Sequence, residues 1–345
     1  MDYGDIIAAN QLGHSPVSWW PKYAFHFTDV RNAVGILRSG TMFCRALAKQ
    51  LNVMQNENAS KIVIDMTSED VKGYVRLYFR PLTPTQYHNE GFKHPMMRLG
   101  NGDDANSPVP VFFMFDLVRI LSLPGTRFSE ISMAKNDGKM RSGFDEFSNL
   151  PFDKIYDNAW QNLKTTKPYR HAEILYPSQL YINQAIRFIC CRNELEAQTL
   201  CNLLRDANPR AFCQYRNYIR VYNKDLFYNN GLFVNRCEYV KESVIITFDD
   251  SFARKEYIAS MRRHTNGIGA LDRLSVRVCL QWFNADQLIS EWSVSVPVDI
   301  ENPIPIYLTP IPAEAKADFL KIRVYIDEKL MAYTRHPLNG GSAPF

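Results

Sequence analysis

The sequence predicts an α+β protein of two domains that divide near residue 215. Its 345 residues are more than one hydrophobic core usually serves. Before residue 215 strand-like and helix-like patterns alternate, whereas after it short strand-like runs recur between turn residues, which is typical of a β-sandwich or small barrel. We therefore expect a mixed domain at residues 1–214 and a mostly β, sandwich-like domain at residues 215–345.

The first predicted elements are a strand followed directly by a helix. Residues 23–27 (YAFHF) have the pattern of a short strand, and Thr28 or Asp29 then supplies the N-cap oxygen of the helix. Apolar residues follow at helical spacing up to Gly40, which suits the left-handed position at a helix end. Residues 43–72 are mixed and polar, so we expect a surface excursion with one helical piece.

The next predicted strand is residues 74–80, whose side chains alternate between apolar and polar. Pro81 and Pro84 stop it, because proline has no N–H to donate to a ladder. Residues 124–168 have little regular pattern and indicate loops with short helices. The remaining predicted elements of this domain are a central strand at 109–117, a strand at 169–182 ended by Pro177, a buried strand at 185–191 and a helix capped by Asn193.

Composition is that of an ordinary globular protein, with 46% hydrophobic and 22% charged residues. No apolar run approaches the roughly 20 residues that a helix needs to span a bilayer. The N-terminus lacks the basic start and apolar stretch of a signal peptide. A net charge of +4 is compatible with a nucleic-acid partner but does not require one. We expect a cytoplasmic protein with no membrane partner.

The seven cysteines are an odd number and include no C-x-x-C pair, so we expect reduced thiols and no zinc or other metal.

Two apparent motifs lack a residue that their function requires. GIGALD at residues 267–272 lacks the third glycine of a dinucleotide-binding loop. NGDDANS at residues 101–107 lacks the closing glutamate of a calcium loop, and we interpret it as a surface loop.

The segment VRLYFRPLTPTQYHNEG, at residues 75–91, places arginines and aromatic rings on a strand and on a proline-stiffened loop, which suits a flat, anionic ligand. Together with FHFTDVRNAVGILRSG (25–40) and RHAEILYP (170–177), it resembles the DarT family of DNA ADP-ribosyltransferase toxins. That family has an H-F-T-type opening, a Y-F-x-P-x-[ST]-P segment and a catalytic glutamate in an A-E pattern. The resemblance covers about residues 20–210, and VPVFFMFD (109–116) and LPFDKIY (150–156) also look like family segments.

The resemblance implies an ADP-ribosyltransferase fold, in which a split, mostly antiparallel pair of sheets grips NAD as co-substrate. It further implies attachment of one ADP-ribose to a base in single-stranded DNA. The protein would be the toxin of a toxin–antitoxin or phage-defence system, with an antitoxin hydrolase that removes the modification. The family commonly has arginine after the first proline, where this chain has Leu82, with Arg80 before the proline. This variant favours guanine over thymine as the acceptor.

Glu173 is the catalytic candidate that the resemblance implies. A carboxylate beside the ribose stabilises the oxocarbenium-like carbon of the transition state, and it can take a proton from the incoming base. If Glu173 lies on a strand, His171 and Leu175 share its face. His26 is expected to hold a ribose hydroxyl or to orient the cofactor. Thr28 and nearby backbone are expected to bind the nicotinamide amide.

Three arginines are candidates for the pyrophosphate, because guanidinium binds phosphate in a bidentate way. They are Arg45, Arg76 and Arg80. The family has a catalytic arginine in the polar excursion. Arg45 is the only arginine between residues 39 and 75, so the resemblance implies that it is the catalytic arginine here. Tyr78 is expected to stack on nicotinamide and to face the site with Arg80, whereas Phe79 would belong to the core.

The acceptor is expected beyond the proline-rich loop, near Tyr87, His88 and Asn89, with His171 as a further contact. A DNA base must be single-stranded or flipped to be modified, and stacking rings with a few cations are enough to hold it. Candidate segments for that groove are residues 139–147 and 160–170. Two alternatives stay open: transfer to RNA or protein, and an inactive module that binds NAD or nucleic acid.

Overall fold

The computed structural model describes residues 2–11, 13, 16–57, 61–98, 105–134, 137–264, 269, 271–312, 314 and 316–338. Parts of the two apparent motifs, residues 101–104, 267, 268 and 270, lie outside the described residues. Within the described part of the chain, no helix is long and apolar enough to cross a membrane. The same residues contain no group of three or more histidine, cysteine or acidic side chains that could hold a metal ion.

Helices and strands alternate irregularly along the chain. The helices are α1 Tyr3–Gln11, α2 Val30–Ser39, α3 Arg45–Gln50, α4 Lys61–Met66, α5 Glu69–Lys72, α6 Pro84–Asn89, α7 Leu117–Leu121, α8 Phe144–Ser148, α9 Phe152–Ile155, α10 Leu163–Thr166, α11 Glu194–Ala207, α12 Pro209–Tyr215 and α13 Phe252–His264. The strands are β1 Tyr23–Asp29, β2 Thr41–Phe43, β3 Tyr74–Tyr78, β4 Pro110–Asp116, β5 Arg127–Ser129, β6 Glu173–Pro177, β7 Gln179–Tyr181, β8 Ile186–Cys191, β9 Ile219–Val221, β10 Val234–Val240, β11 Ser243–Phe248, β12 Leu274–Asn284, β13 Gln287–Val298, β14 Ile306–Leu308, β15 Phe319–Ile326 and β16 Lys329–Pro337. Short 3₁₀ helices occupy Trp20–Lys22, Pro95–Met97, Trp160–Asn162, Tyr169–His171, Ile182–Gln184 and Arg216–Tyr218.

The N-terminal part contains a seven-stranded sheet and a separate two-stranded sheet, β2-β7. The strand order of the large sheet is β5-β6-β3-β1-β4-β8-β9. All its pairs are antiparallel except β8-β9, which is parallel. This confirms the predicted α+β class with split, mostly antiparallel sheets. As expected, β4 is a central strand, and every residue of it except Asp116 is buried.

Helix α2 begins and ends where the sequence predicted. The N-cap is Asp29, whose Oδ1 accepts the Arg31 N–H at 2.9 Å. The helix ends at Gly40, which has a φ of 68°. The buried stripe of the helix is Val30, Ala33 and Leu37, which belong to the core of the N-terminal part. The tight strand-to-helix turn places the end of β1 beside the first turn of α2.

Three predicted elements differ from the structure. The predicted strand 74–80 ends at Tyr78, because residues 79–82 form bends and Leu82 takes a φ of 56°. The predicted strand 169–182 is two strands, β6 and β7, and residues 169–171 before them form a 3₁₀ helix. The excursion at 43–72 carries three short helices instead of one.

The C-terminal part is rich in β-strands, as predicted. It contains two antiparallel sheets, β10-β11-β14 and β13-β12-β15-β16. Apolar side chains of both sheets form one core, which includes Val244 and Ile246 from the first sheet and Val278 and Ile322 from the second. One core shared between two sheets is the arrangement of a β-sandwich.

The division at 214/215 stays a prediction. In the structure, β9 pairs with β8 and so extends the N-terminal sheet to Val221. Leu226 and Phe227 also pack in the N-terminal core. The chain therefore keeps contributing to the first core as far as Phe227.

The two parts of the chain meet where two loops cross. Phe92 pairs with Leu232 through an isolated antiparallel bridge. Beside that bridge, a Cβ added at Gly231 would lie 2.5 Å from the Gly91 Cα and 2.6 Å from the Glu90 carbonyl oxygen. Backbone atoms cannot retreat from such a contact, so only glycine fits at position 231.

Gly231→Ala should lower the free energy of unfolding by roughly 1–3 kcal/mol, because the added methyl group overpacks the crossing. Urea unfolding of the full chain measures this. The matched control is Gly269→Ala, where an added Cβ meets no atom within 4 Å. Equal stability of the two variants would contradict the requirement for glycine at position 231.

Candidate active site

A cleft of about 270 Å³ opens in the N-terminal part of the structure. Its walls come from β1, α2, β2, α3, β3 and the first turn of α6. The candidate site residues that line it are His26, Thr28, Arg45, Arg76 and Tyr78. The fold therefore brings together side chains that lie far apart in the sequence.

His26 is held in one tautomer by the backbone of the neighbouring strand. Its Nδ1 lies 3.1 Å from the carbonyl oxygen of Arg76, and because a carbonyl only accepts, Nδ1 carries the proton. Burial lowers the pKa of His26 to about 4, although the bond to Arg76 opposes this shift. At neutral pH the ring is therefore uncharged, and its Nε2 can accept a hydrogen bond from a hydroxyl group.

Glu173 lies at the start of β6, is completely buried and is held by Arg76 through two contacts. Arg76 Nε donates to Oε2 at 2.8 Å, and Nη2 donates to Oε1. Arg76 lines the cleft and keeps 24% of its side chain exposed, whereas Glu173 has none. The guanidinium group therefore stands between the carboxylate and the cleft.

The pairing of β3 with β6 explains why these two side chains meet. Tyr78 is the register partner of Glu173, and Arg76 is the partner of Leu175. Arg76 and Glu173 are thus diagonal neighbours on one face, within reach of a long side chain. Burial is the largest single influence on the pKa of Arg76 and lowers it. The charges of Glu173 and Tyr78 and the hydrogen bond to Glu173 together outweigh burial, so the pKa is raised overall.

Arg45 also lines the cleft, but its guanidinium group is already paired. Nη1 donates to Glu57 Oε2 at 2.8 Å, and Nη2 donates to Oε1 at 3.0 Å. Both side chains are partly exposed. Between these two cleft arginines, Arg76 is the one that contacts Glu173, and the alternation of β3 was the signal for it in the sequence.

Arg80 does not lie in the cleft, contrary to the expectation that it binds the cofactor. Its side chain is fully buried, with the guanidinium carbon 4.6 Å from the centre of the Trp20 ring. Nε donates to the Pro81 carbonyl at 3.0 Å, and Nη1 donates to those of Ile155 and Asp157 at 3.1 and 2.5 Å. Because β3 ends at Tyr78, the strand alternation that would place Arg80 beside it does not apply.

Thr28 and Tyr78 both lie at the cleft, and their roles there stay predictions. Thr28 is buried at the end of β1 and lines the cleft. Tyr78 lines the cleft beside Arg76, and burial raises the pKa of its hydroxyl. Phe79 is fully buried in the core, so neighbouring residues of this segment point to opposite sides of the sheet.

The residues expected near the acceptor, Tyr87, His88, Asn89 and His171, lie outside the walls of the cleft. Tyr87 packs against Tyr257 of α13, with ring centres 5.3 Å apart, and the His88 ring centre lies 6.3 Å from that of Tyr257. The reason is that α6 begins at Pro84 and turns these side chains towards the C-terminal part. His171 belongs to a 3₁₀ helix, so it does not share a strand face with Glu173.

The first turn of α6 forms a wall of the cleft and is fixed by residues after the predicted domain boundary. Glu90 is fully buried and accepts from Gln86 Nε2 at 2.7 Å. It also accepts the backbone N–H groups of Tyr228 and Asn229 at 2.9 and 2.6 Å. The Tyr228 hydroxyl donates to the Leu82 carbonyl at 2.6 Å. No local sequence signal indicated this network, because its backbone donors lie 138 and 139 residues from Glu90.

A protein-family model described as "ssDNA thymidine ADP-ribosyltransferase, DarT" matches residues 25–227, which is more than half of the chain. The match begins just before His26 and contains every residue of the cleft described above. No curated protein matches the chain.

Solved structures of DarT proteins are similar to part of the chain. Thermus sp. 2.9 DarT in complex with carba-NAD+ is 17% identical with a TM-score of 0.47, over 60% of this chain and 98% of that one. The same protein with ADP-ribosylated ssDNA is 17% identical with a TM-score of 0.48, over 60% and 97%. Thermosipho africanus DarTG in complex with ADP-ribose is 14% identical with a TM-score of 0.46, over 63% and 53%.

The His26 ring should titrate near pH 4 instead of its ordinary 6.5, because burial opposes its charge. As the pH falls, the histidine of the unfolded chain is protonated near pH 6.5, whereas His26 of the folded chain is protonated only near pH 4. The contribution of His26 to stability is therefore complete above pH 6.5 and is lost as the pH falls towards 4. NMR of the ring protons measures the midpoint, and His26→Asn assigns the signal. A midpoint close to 6.5 would contradict a partly buried ring that stays neutral.

Glu90→Gln should destabilise the fold by roughly 1–3 kcal/mol, because the new amide group points an N–H at donors that need an acceptor. Urea unfolding of the full chain measures this effect. Glu69→Gln, at a largely exposed position, is the control, and an equal result for both variants would contradict the role of Glu90.

Proposed function

The chain belongs to the DarT family of ssDNA thymidine ADP-ribosyltransferases, and on this premise we propose that it transfers ADP-ribose from NAD to a base in single-stranded DNA. The observation that carries the proposal is the pairing of Arg76 with the buried Glu173, in the same cleft region as the neutral ring of His26. These groups match the needs of a reaction that breaks a glycosidic bond next to a pyrophosphate.

In the proposed reaction, the bond between the ribose C1′ and the nicotinamide nitrogen breaks, and nicotinamide leaves with the bonding electrons. A nitrogen of the acceptor base supplies the electron pair of the new bond to C1′. That nitrogen loses its proton, which the Glu173 carboxylate takes. The unprotonated Nε2 of His26 accepts a hydrogen bond from a ribose hydroxyl and so orients the sugar.

Arg76 has two partners in this scheme, one before and one after NAD binds. Without NAD, it covers the carboxylate of Glu173, which has no exposed surface. A guanidinium group binds phosphate oxygens through two parallel hydrogen bonds, so the pyrophosphate of NAD offers Arg76 an alternative anionic partner. Movement of Arg76 towards the pyrophosphate uncovers Glu173 for the ribose.

The proposed acceptor groove runs along the β5 edge of the sheet. Ser129 on β5 is the register partner of Glu173, and Phe128 pairs with Arg141 of the predicted segment 139–147. The second segment, 160–170, leads into β6 and carries Trp160, whose side chain is 76% exposed. An exposed ring of this kind suits stacking by an unpaired base.

The acceptor base is either thymine or guanine. The family description names thymidine. The preference for guanine came from the sequence around Arg80, and Arg80 is buried away from the cleft, so we favour thymine.

We also propose that the protein acts as the toxin of a toxin–antitoxin pair that serves in phage defence. Its partner would be a hydrolase that removes the modification, because a cell that makes this enzyme needs protection from covalently altered DNA. The family assignment supports this role, since the described reaction damages DNA directly.

Glu173→Gln should lower the transfer rate by roughly 10²–10⁴-fold, because the amide group can neither take the proton nor stabilise positive charge as a carboxylate does. Labelled NAD is incubated with oligonucleotides that lack thymine or lack guanine, with RNA and with protein. We expect the parent chain to label DNA. The label should be lost with Glu173→Gln and kept with Glu69→Gln. Label only in RNA or protein would move the acceptor to those classes, and absence of label and of nicotinamide release would indicate an inactive binding module.

Arg76→Met should lower the free energy of unfolding by roughly 3 kcal/mol, because it leaves the buried charge of Glu173 without a partner. This is the lower end of the cost of breaking a buried ion pair, since Arg76 is partly exposed. Adding Glu173→Gln to it should restore part of the loss, since no uncompensated charge then stays buried. Urea unfolding of the single and double variants measures this coupling. Strictly additive losses would contradict the pairing.

A further inference from the structure

A second and larger cleft, of about 820 Å³, lies between the N-terminal part and the C-terminal sheets. One wall is helix α11 with Phe212 of α12, and the other is formed by the ends of β15 and β16 and the turn between β12 and β13. Its volume is in the range of small-molecule sites, which hold roughly 300–1,000 Å³. None of the residues lining it lines the cleft proposed for NAD.

Two arginines on opposite walls lie over aromatic rings. The Arg335 guanidinium carbon is 3.6 Å from the centre of the Phe319 ring, and that of Arg205 is 4.4 Å from the centre of the Phe212 ring. A ring beneath a guanidinium group holds it in place and leaves its N–H groups able to bind a ligand. Arg216 is a third cation of the same cleft, and its side chain is exposed.

Some of the cations near this cleft are paired with a carboxylate, and others are not. Lys321 and Arg323 on the same sheet are both neutralised by Asp206. Among the described residues, by contrast, Arg335 and Arg216 have neither a hydrogen bond from the guanidinium group nor a carboxylate partner. These two cations of the lining are therefore the ones left available to an anion.

The acidic residues of the lining do not cancel this arrangement. Glu194, Asp286 and Asp318 are all exposed, whereas Arg335 is partly buried. Asp318 is also engaged, because its Oδ2 accepts the Ala285 N–H at 2.9 Å. Water screens an exposed carboxylate, so these residues offset little of the charge of the partly buried Arg335.

We propose that this second cleft binds the phosphate groups of nucleotides, either free or within a single strand. Planar guanidinium groups on opposite walls, from Arg335 and Arg216, recognise phosphate oxygens through paired hydrogen bonds. The site is distinct from the candidate active site, so it adds a nucleotide-binding role for the C-terminal part. It does not depend on the acceptor base or on turnover.

The test uses the full chain with Glu173→Gln, so that no transfer occurs. Binding of inorganic pyrophosphate and of an oligodeoxyadenylate of about a dozen nucleotides, which offers neither thymine nor guanine, is measured by calorimetry and fluorescence anisotropy. Arg335→Gln with Arg216→Gln should weaken binding roughly tenfold or more. Arg273→Gln, an exposed arginine at the other end of β12, should leave it unchanged.

Gln198→Glu is the second variant, because it places a carboxylate in the cleft without touching the arginines. It should weaken binding in the same assays while thermal unfolding stays that of the parent chain. Weakening for pyrophosphate and oligonucleotide alike supports a site for single phosphate groups, and weakening for the oligonucleotide alone supports a strand site. No binding, or binding that none of these variants changes, overturns the proposal.

Discussion

The ion pair between Arg76 and the fully buried Glu173 is the constraint on which the rest of the site depends. A carboxylate without exposed surface is costly unless a cation and hydrogen bonds compensate it. Here the cation comes from the adjacent strand β3, and the same residue's carbonyl fixes the tautomer of His26. One residue thus connects the proposed acid–base group, the proposed ribose-binding histidine and the opening of the cleft.

Residues after the predicted domain boundary support one wall of the cleft. Glu90 joins the first turn of α6 to the backbone at 228–229, and the backbones of the two segments are in close contact where Gly91 and Gly231 cross. The wall proposed to face NAD is therefore supported from both parts of the chain. A buried carboxylate that accepts three N–H groups fixes such a wall firmly, since each donor would otherwise be unsatisfied.

Local sequence patterns predicted much of the fold, because many helix ends and strands are determined by interactions between residues close together in the sequence. The Asp29 cap, Gly40 and the continuous apolar run of β4 each act within a few residues. The sequence could not show that Arg80 is buried against Trp20 or that Glu90 reaches residue 228, since both depend on contacts between distant segments. Extending β3 by two residues was enough to misplace Arg80, because a side chain's direction follows strand alternation only while the strand continues.

The most direct measurement of the role of the Arg76–Glu173 pair is a crystal structure of the full chain with a non-hydrolysable NAD analogue. We predict that the Arg76 guanidinium group leaves Glu173 and binds the pyrophosphate, with the Glu173 carboxylate within hydrogen-bond distance of the ribose 2′-OH. An unbroken Arg76–Glu173 pair with the ribose out of reach of that carboxylate, or a dinucleotide bound away from His26, would contradict this mechanism.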